Sequence, residues 1–254
     1  MKATVKSATK AGIVVFPGTN CDRDTLMACE EYGWDANYIW HFETNLEGYD
    51  VIFLPGGFSY GDYIRSGRLA KFSPVMQAIK EFVEKEQGFL IGICNGFQIL
   101  CETGLLPGVL TDNWGTRFIC KTQELELHYD EVKNKKEKVK NDEDSDDLLP
   151  FTFYQDNKQA FCKSIKLPIA HGEGRYIAEP ETMQKLKDED MIFLTYKNNP
   201  NGSMEDIAGL YDKKHRIIGM MPHPERAFFT ETGNTDGKEI FRIIQEAFCV
   251  KCEM

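Results

Sequence analysis

The chain has 254 residues, 42% of them hydrophobic, and a formal net charge of -10. That is enough apolar material for one large core, and an acidic chain is repelled by phosphate backbones and anionic lipid, which argues against nucleic acid or a membrane as partner. No apolar run reaches membrane-spanning length and the first ten residues hold no apolar signal core, so the eight scattered cysteines are expected as free thiols in a cytoplasmic protein.

In chain order, Gly12 to Phe16 is a short apolar run closed by Pro17-Gly18, which predicts a buried strand and a tight loop. A helix follows, with Asp22 and Asp24 in its first turn and a stop at Gly33. Ala36 to Trp40 and Val51 to Leu54 read as strands, the second ended by Pro55-Gly-Gly57. Pro74 is placed to open a helix running to about Glu86. Phe89 to Ile93 is a further apolar strand, and a helix is expected from Gly96 to about Thr103. This strand–helix rhythm predicts an α/β fold: an open, mostly parallel central sheet with helices on both faces. Further on, Arg117 to Lys121 and Glu124 to Tyr129 read as strands. A mainly basic block (Lys133 to Lys140) and a mainly acidic one (Asp142 to Asp147) predict a mobile, charged surface insertion at about residues 131–147. Strands at Met191 to Tyr196, Ile207 to Tyr211 and Arg216 to Met220, a few of them expected antiparallel, precede a final helix from about Asp236 to Phe248. With no repeat and no Gly/Ser linker, residues 1–254 are expected to form a single domain.

The chemistry concentrates in two segments. In Phe89-Leu-Ile-Gly-Ile-Cys94-Asn-Gly, a thiol sits between a buried strand and a helix, flanked by Gly92 and Gly96. G-x-C-x-G is the thiol counterpart of the G-x-S-x-G nucleophile elbow, and a helix N-terminus favours a thiolate. Pro222-His-Pro-Glu225 follows the last predicted strand. Pro224 biases His223 to an extended backbone, so residues i and i+2 share a side and Glu225 can orient the His223 imidazole. The bare amide of Gly57 and the amide of Asn95 are candidate donors to an oxyanion.

These residues resemble the class I, triad-type glutamine amidotransferases, and more finely the small glutaminase subunits of phosphoribosylformylglycinamidine synthases. The finer resemblance rests on Phe16-Pro-Gly-Thr-Asn-Cys-Asp-Arg-Asp24, Leu54-Pro-Gly-Gly-Phe-Ser-Tyr-Gly-Asp62, Ile169-Ala-His-Gly-Glu-Gly-Arg-Tyr176 and Asn198-Asn-Pro-Asn-Gly-Ser203, in order along nearly the whole chain. It implies that Cys94 attacks the glutamine carboxamide, that His223 protonates departing ammonia and then activates water, and that Glu225 orients His223. It implies an oxyanion hole at Gly57 and Asn95 and contact between Gln98 and glutamine. Ammonia would pass to a large ATP-dependent synthetase subunit making formylglycinamidine ribonucleotide, with a small bridging subunit in the complex. The charged insertion is the one departure from the family's pattern.

Glu173 is a candidate for the substrate's amino group, and Asn20, Asp22, Arg23, Arg65 and His171 are expected at the partner interface. Asp22 and Asp24 argue against Cys21 as a nucleophile. His171-Gly-Glu173 offers too few ligands for a metal site, and Cys249 with Cys252 forms one C-x-x-C with no second half. Residues Asp62 to Ala70 are expected to form a helix, and His41, His128 and His215 to lie at the surface. No G-x-x-x-x-G-K-[ST] pattern occurs, so ATP and magnesium are expected only on the partner. The rival readings are another cysteine-elbow hydrolase, the glutaminase of a different amidotransferase, and a catalytically silent regulatory subunit.

Overall fold

The computed structural model describes residues 8–129 and 162–249, and the expected insertion at 131–147 lies outside them. Strand β1 (Lys10–Val15) leads through helix α1 (Asp22–Glu31) to β2 (Asp35–Trp40). Strand β3 (Val51–Leu54) leads through α2 (Pro74–Glu84) to β4 (Phe89–Ile93), and α3 (Asn95–Glu102) starts almost at once. Then come β5 (Val109–Thr111), β6 (Ile119–His128), β7 (Cys162–His171), β8 (Arg175–Ile177), α4 (Pro180–Asp188), β9 (Ile192–Tyr196), β10 (Ile207–Asp212), β11 (Ile217–Met220) and α5 (Gly237–Cys249).

Nine strands form one sheet in the order β2-β1-β3-β4-β11-β10-β9-β6-β7, and β5 pairs with β8 in a small second sheet. The run from β2 to β11 is parallel, and every pair from β11 to β7 is antiparallel. Every residue of β3, β4 and β11 is buried, as befits parallel strands covered on both sides. The chain steps from β1 to β2 in one direction and from β3 to β4 in the other. Right-handed crossovers therefore place α1 and α2 on opposite faces, and the carboxyl ends of β1 and β3 flank a topological switch point. Tyr32, Trp34, Phe53 and Phe241 pack together under α5 on one face. Phe97 of α3 stacks on Tyr176 beyond the sheet.

Helix α2 forms because Pro74 supplies a preset first turn and Val75, Met76, Ile79, Phe82 and Val83 recur on one buried stripe. The ladder between β6 and β7 has ten residue pairs, from Ile119 opposite His171 to His128 opposite Cys162. Leu125 and Leu127 face the core from β6, and Ile165, Leu167 and Ile169 from β7. Pro168 is tolerated because β7 is an edge strand.

Some expectations are corrected. The segments at 117–121 and 124–129 are one strand. Residues 62–70 are not a helix: Tyr60, Gly61, Asp62 and Gly67 all have positive φ, which no right-handed helix accommodates. Only short 3-10 turns, Ser59–Asp62 and Ala70–Phe72, flank this loop. His41 is half-buried, with Nδ1 3.0 Å from the Tyr60 hydroxyl.

Candidate active site

Cys94 links β4 to α3 with φ 51° and ψ -104°, a conformation that costs a non-glycine residue about 1–3 kcal/mol. Its N–H donates to the Met220 carbonyl at 2.7 Å, which pins the turn to the neighbouring strand β11. The flanking glycines are a steric requirement. A Cβ on Gly96 would lie 1.9 Å from the Leu54 carbonyl oxygen, and one on Gly92 would lie 2.7 Å from the backbone of Gly96. The helix start can approach β3 and β4 only without those carbons.

Strands β4 and β11 are parallel neighbours with Ile93 opposite Met220, so the segment after β11 emerges beside Cys94. The His223 N–H donates to the Pro168 carbonyl at 2.8 Å, tying it to β7. Residues Pro224–Arg226 then form a 3-10 turn. This turn, rather than the expected extended chain, brings Glu225 round so that Oε1 lies 2.6 Å from His223 Nδ1. Both residues are 1% exposed. Burial disfavours the His223 cation, but the Glu225 carboxylate and the neighbouring Cys94 outweigh it and hold the imidazole's pKa well above its ordinary value. His223 Nε2, buried and without a hydrogen bond, remains for other chemistry.

Cys94 and His223 share a cavity of about 350 Å³ with Gly57, Gln98, Glu173 and Arg226. Gly57 follows β3 in an antiparallel bridge with Thr19. The bridge uses the amides of Asn20, on Gly56 O, and Phe58, on Gly18 O, so the Gly57 N–H stays out of it. Asn95 opens α3, and its N–H has no acceptor within the helix. The Asn95 side chain is 1% exposed and acts as a hub. Its Oδ1 accepts from Ser59 N at 3.2 Å, and its Nδ2 donates to Gln98 Oε1 at 2.9 Å and Asp62 Oδ1 at 3.3 Å. Gln98 Nε2 in turn donates to the Glu173 carbonyl at 2.5 Å. The Gln98 side chain is thus braced across the cavity.

Of the expected interface residues, Asn20 and Arg23 are exposed and Asp22 is half-buried, around the start of α1. Arg65 is not a free docking charge: Nε lies 2.9 Å from Glu102 Oε1 and Nη2 donates to the Leu110 carbonyl at 3.1 Å. His171 is 3% exposed and forms cavity wall rather than outer surface. Its Nδ1 lies 3.0 Å from Asn113 Oδ1, which also accepts the Gly174 N–H, so Nδ1 carries the proton. Burial, aided by His223, pushes the His171 pKa down to about 4, and the ring is neutral near pH 7.

Cys21, Arg226, Asp62 and Asn113 enter the site without having been singled out for it. Arg226 donates through Nη2 to Cys21 Sγ at 3.0 Å and pairs through Nε with Asp24 at 3.2 Å. The sequence signal for them is that Cys21 and Asp62 lie within the family-like motifs and Arg226 directly follows one. Cys21, His223 and Glu225 hold ligand-type atoms within 4.8 Å of one another. With Glu225 Oε1 spent on His223 Nδ1, however, they fall short of the four ligands of a structural zinc site.

A buried thiol on a strained elbow and a histidine oriented by a buried carboxylate meet at one cavity, the arrangement of a cysteine-based acyl-transfer site. Residues 8–246 match the CobB/CobQ-like glutamine amidotransferase domain, and the chain belongs to that family. Within it, the chain is 48% identical over 236 residues to the phosphoribosylformylglycinamidine synthase subunit PurQ of Thermus thermophilus, covering 90% of this chain and 94% of the relative. Its identity to PurQ of Prochlorococcus marinus is 47%, over 90% of this chain and 96% of the relative. Among solved structures, PurLQS from Thermotoga maritima matches with a TM-score of 0.75 and 36% identity, covering 94% of this chain and 98% of that one. A glutamine amidotransferase from Thermotoga maritima, 14% identical with a TM-score of 0.51 over 97% of this chain and 98% of that one, shares the fold alone.

Proposed function

We propose that the chain is the glutaminase subunit of a phosphoribosylformylglycinamidine synthase, releasing ammonia from glutamine for a large synthetase subunit and working with a small bridging subunit. The observation that carries this reading is the shared cavity of Cys94 and the His223–Glu225 pair in a chain 48% identical to PurQ. In this reading the Cys94 sulfur attacks the glutamine carboxamide carbon, and the resulting oxyanion meets the amides of Gly57 and Asn95. His223 Nε2 delivers a proton to the leaving nitrogen, the C–N bond breaks, and a glutamyl thioester and ammonia remain. A water molecule then gives its proton to His223 as it attacks the thioester, and glutamate leaves with the thiol restored. Glu225 keeps the imidazole oriented and stabilises its cation throughout. Gln98 and Glu173 line the substrate's side, and Asn20, Asp22 and Arg23 belong to a rim that meets the partner.

ATP and magnesium belong to the synthetase subunit, since this chain carries no P-loop pattern. Among the described residues no helix is long and apolar enough to cross a membrane, and a cytoplasmic setting is part of the proposal. The test is Cys94→Ala in the reconstituted complex. Glutamine-dependent synthesis should vanish while synthesis from added ammonium salt persists. Glutamine-dependent activity in the variant would refute the reading, and so would a wild-type complex that releases no glutamate.

A further inference from the structure

Among the described residues, the cavity beside Cys94 carries one carboxylate with no cationic partner. Asp62 lies on its wall, half-buried, on the loop whose positive φ values at Tyr60, Gly61 and Asp62 fix its backbone. It accepts three neutral hydrogen bonds, from Gly67 N–H, Ser66 Oγ and Asn95 Nδ2, each at 3.3 Å. Arg65 pairs with Glu102 and Arg226 with Asp24. The charge that does act on it is a second carboxylate, Glu173, on the same cavity. Burial, with a smaller push from Glu173, raises the Asp62 pKa. A bound cation would favour the ionised form of Asp62 against both effects.

The position says which cation. Asp62 hydrogen-bonds the side chain of Asn95, the residue directly after the nucleophile, and Asn95 holds Gln98, which reaches Glu173. Asp62, Gln98 and Glu173 therefore form one continuous wall. The buried, unpartnered Nε2 of His223, on the same cavity, marks where a reacting group must lie. In glutamine the α-nitrogen lies about 5 Å from the carboxamide carbon when the side chain is extended. A substrate whose carboxamide meets Cys94 carries its ammonium group a short span away.

We propose that Asp62 is the counter-ion of the substrate's α-ammonium group and a specificity-determining residue of this site, an inference that rests on the glutaminase reading above. Glu173 deepens the negative potential from the opposite end of the wall, and its backbone carbonyl secures Gln98. The pair selects an amino acid amide over an amide that lacks the amino group.

The experiment compares glutamine with 5-amino-5-oxopentanoate, which is glutamine without its α-amino group, using the reconstituted complex and its Asp62→Asn form. The asparagine keeps the shape and one acceptor oxygen for the loop. Wild type should favour glutamine in kcat/KM by about 10- to 100-fold, the range expected for one charged hydrogen bond. Asp62→Asn should lower kcat/KM for glutamine by a similar factor, mainly through KM, and leave the desamino substrate nearly unchanged, so that the preference collapses. A parallel fall for both substrates would make Asp62 a structural brace and overturn the proposal. So would a preference that survives the substitution. If the variant does not fold, wild type decides: equal turnover of glutamine and N-acetylglutamine, which has no ammonium group, overturns it, and strong rejection supports it. A wild-type complex that releases ammonia from neither overturns the glutaminase reading itself.

Discussion

Replacing Glu225 by glutamine tests the role of the buried pair directly. The side chain keeps its shape and one oxygen for His223 Nδ1, now 2.6 Å from Glu225 Oε1, so the change removes charge rather than contact. Both residues are 1% exposed, and solvent cannot compensate. Truncating one partner of a buried ion pair costs roughly 3–5 kcal/mol. Because an acceptor survives, the stability cost lies at the lower end of that range; a comparable loss of about 3 kcal/mol at the imidazolium formed in the reaction, at 1.36 kcal/mol per decade, lowers kcat roughly 100-fold. The change also has a signature in pH. The Glu225 carboxylate is the foremost influence raising the His223 pKa, against burial that lowers it. Without the carboxylate its largest support is gone, the imidazolium is lost at lower pH, and the alkaline limb of the pH–rate profile should move down. The stability sign runs the same way. A histidine raised above its ordinary value of 6.5 stabilises the fold fully below that value, and the gain is lost as pH rises through the folded value. That limb should flatten in Glu225→Gln when Tm is followed against pH. The assay is glutamate release by the reconstituted complex between about pH 6 and pH 10, a range chosen to bracket the ordinary histidine pKa. An unchanged kcat, or a profile that does not shift, would remove Glu225 from the mechanism.

Two further variants probe the scaffold. Gly96→Ala places a carbon 1.9 Å from the Leu54 carbonyl and must push α3 off β3, so it should destabilise by about 3 kcal/mol or more in denaturant titrations. A near-neutral result would show that the elbow has room to relax. Arg65→Ala removes a guanidinium whose side chain is a third exposed, so its pair with Glu102 should contribute only about 0.2–1 kcal/mol to stability. A much larger drop in Tm would make that pair and the Leu110 bond a principal brace of the loop.

Much of the site is visible along the chain because its chemistry is local. The glycines that flank Cys94 are contiguous with it, and the proline-bracketed histidine and glutamate stand two residues apart. The continuous apolar runs of β3 and β4 likewise mark buried parallel strands, and both ends fall where the composition puts them. What escapes depends on partners far away in sequence. Arg226 meets Cys21 across 205 positions, and only the strand order that brings the ends of β1 and β11 to one cleft makes that contact. Strand β7 hides because Pro168 interrupts its alternating Ile165, Leu167 and Ile169. Helix α4 buries only Met183 and Leu186, too few to announce an apolar stripe. Residues 62–70 carry enough helix-forming types to suggest a helix, but Gly61 and Gly67 take left-handed conformations, and at Gly67 close packing against α3 leaves no room for a Cβ. His171 looks like a polar rim residue in its glycine-rich setting, and tertiary packing alone buries it.

The β6–β7 ladder also works as a spacer. At its site end His171 stands opposite Ile119 and Ala170 places its carbonyl 3.8 Å from Cys94 Sγ; at the other, His128 faces Cys162. Nine steps of about 3.3 Å separate the two, roughly 30 Å. The chain between His128 and Cys162 thus joins the ladder at the end remote from the thiol.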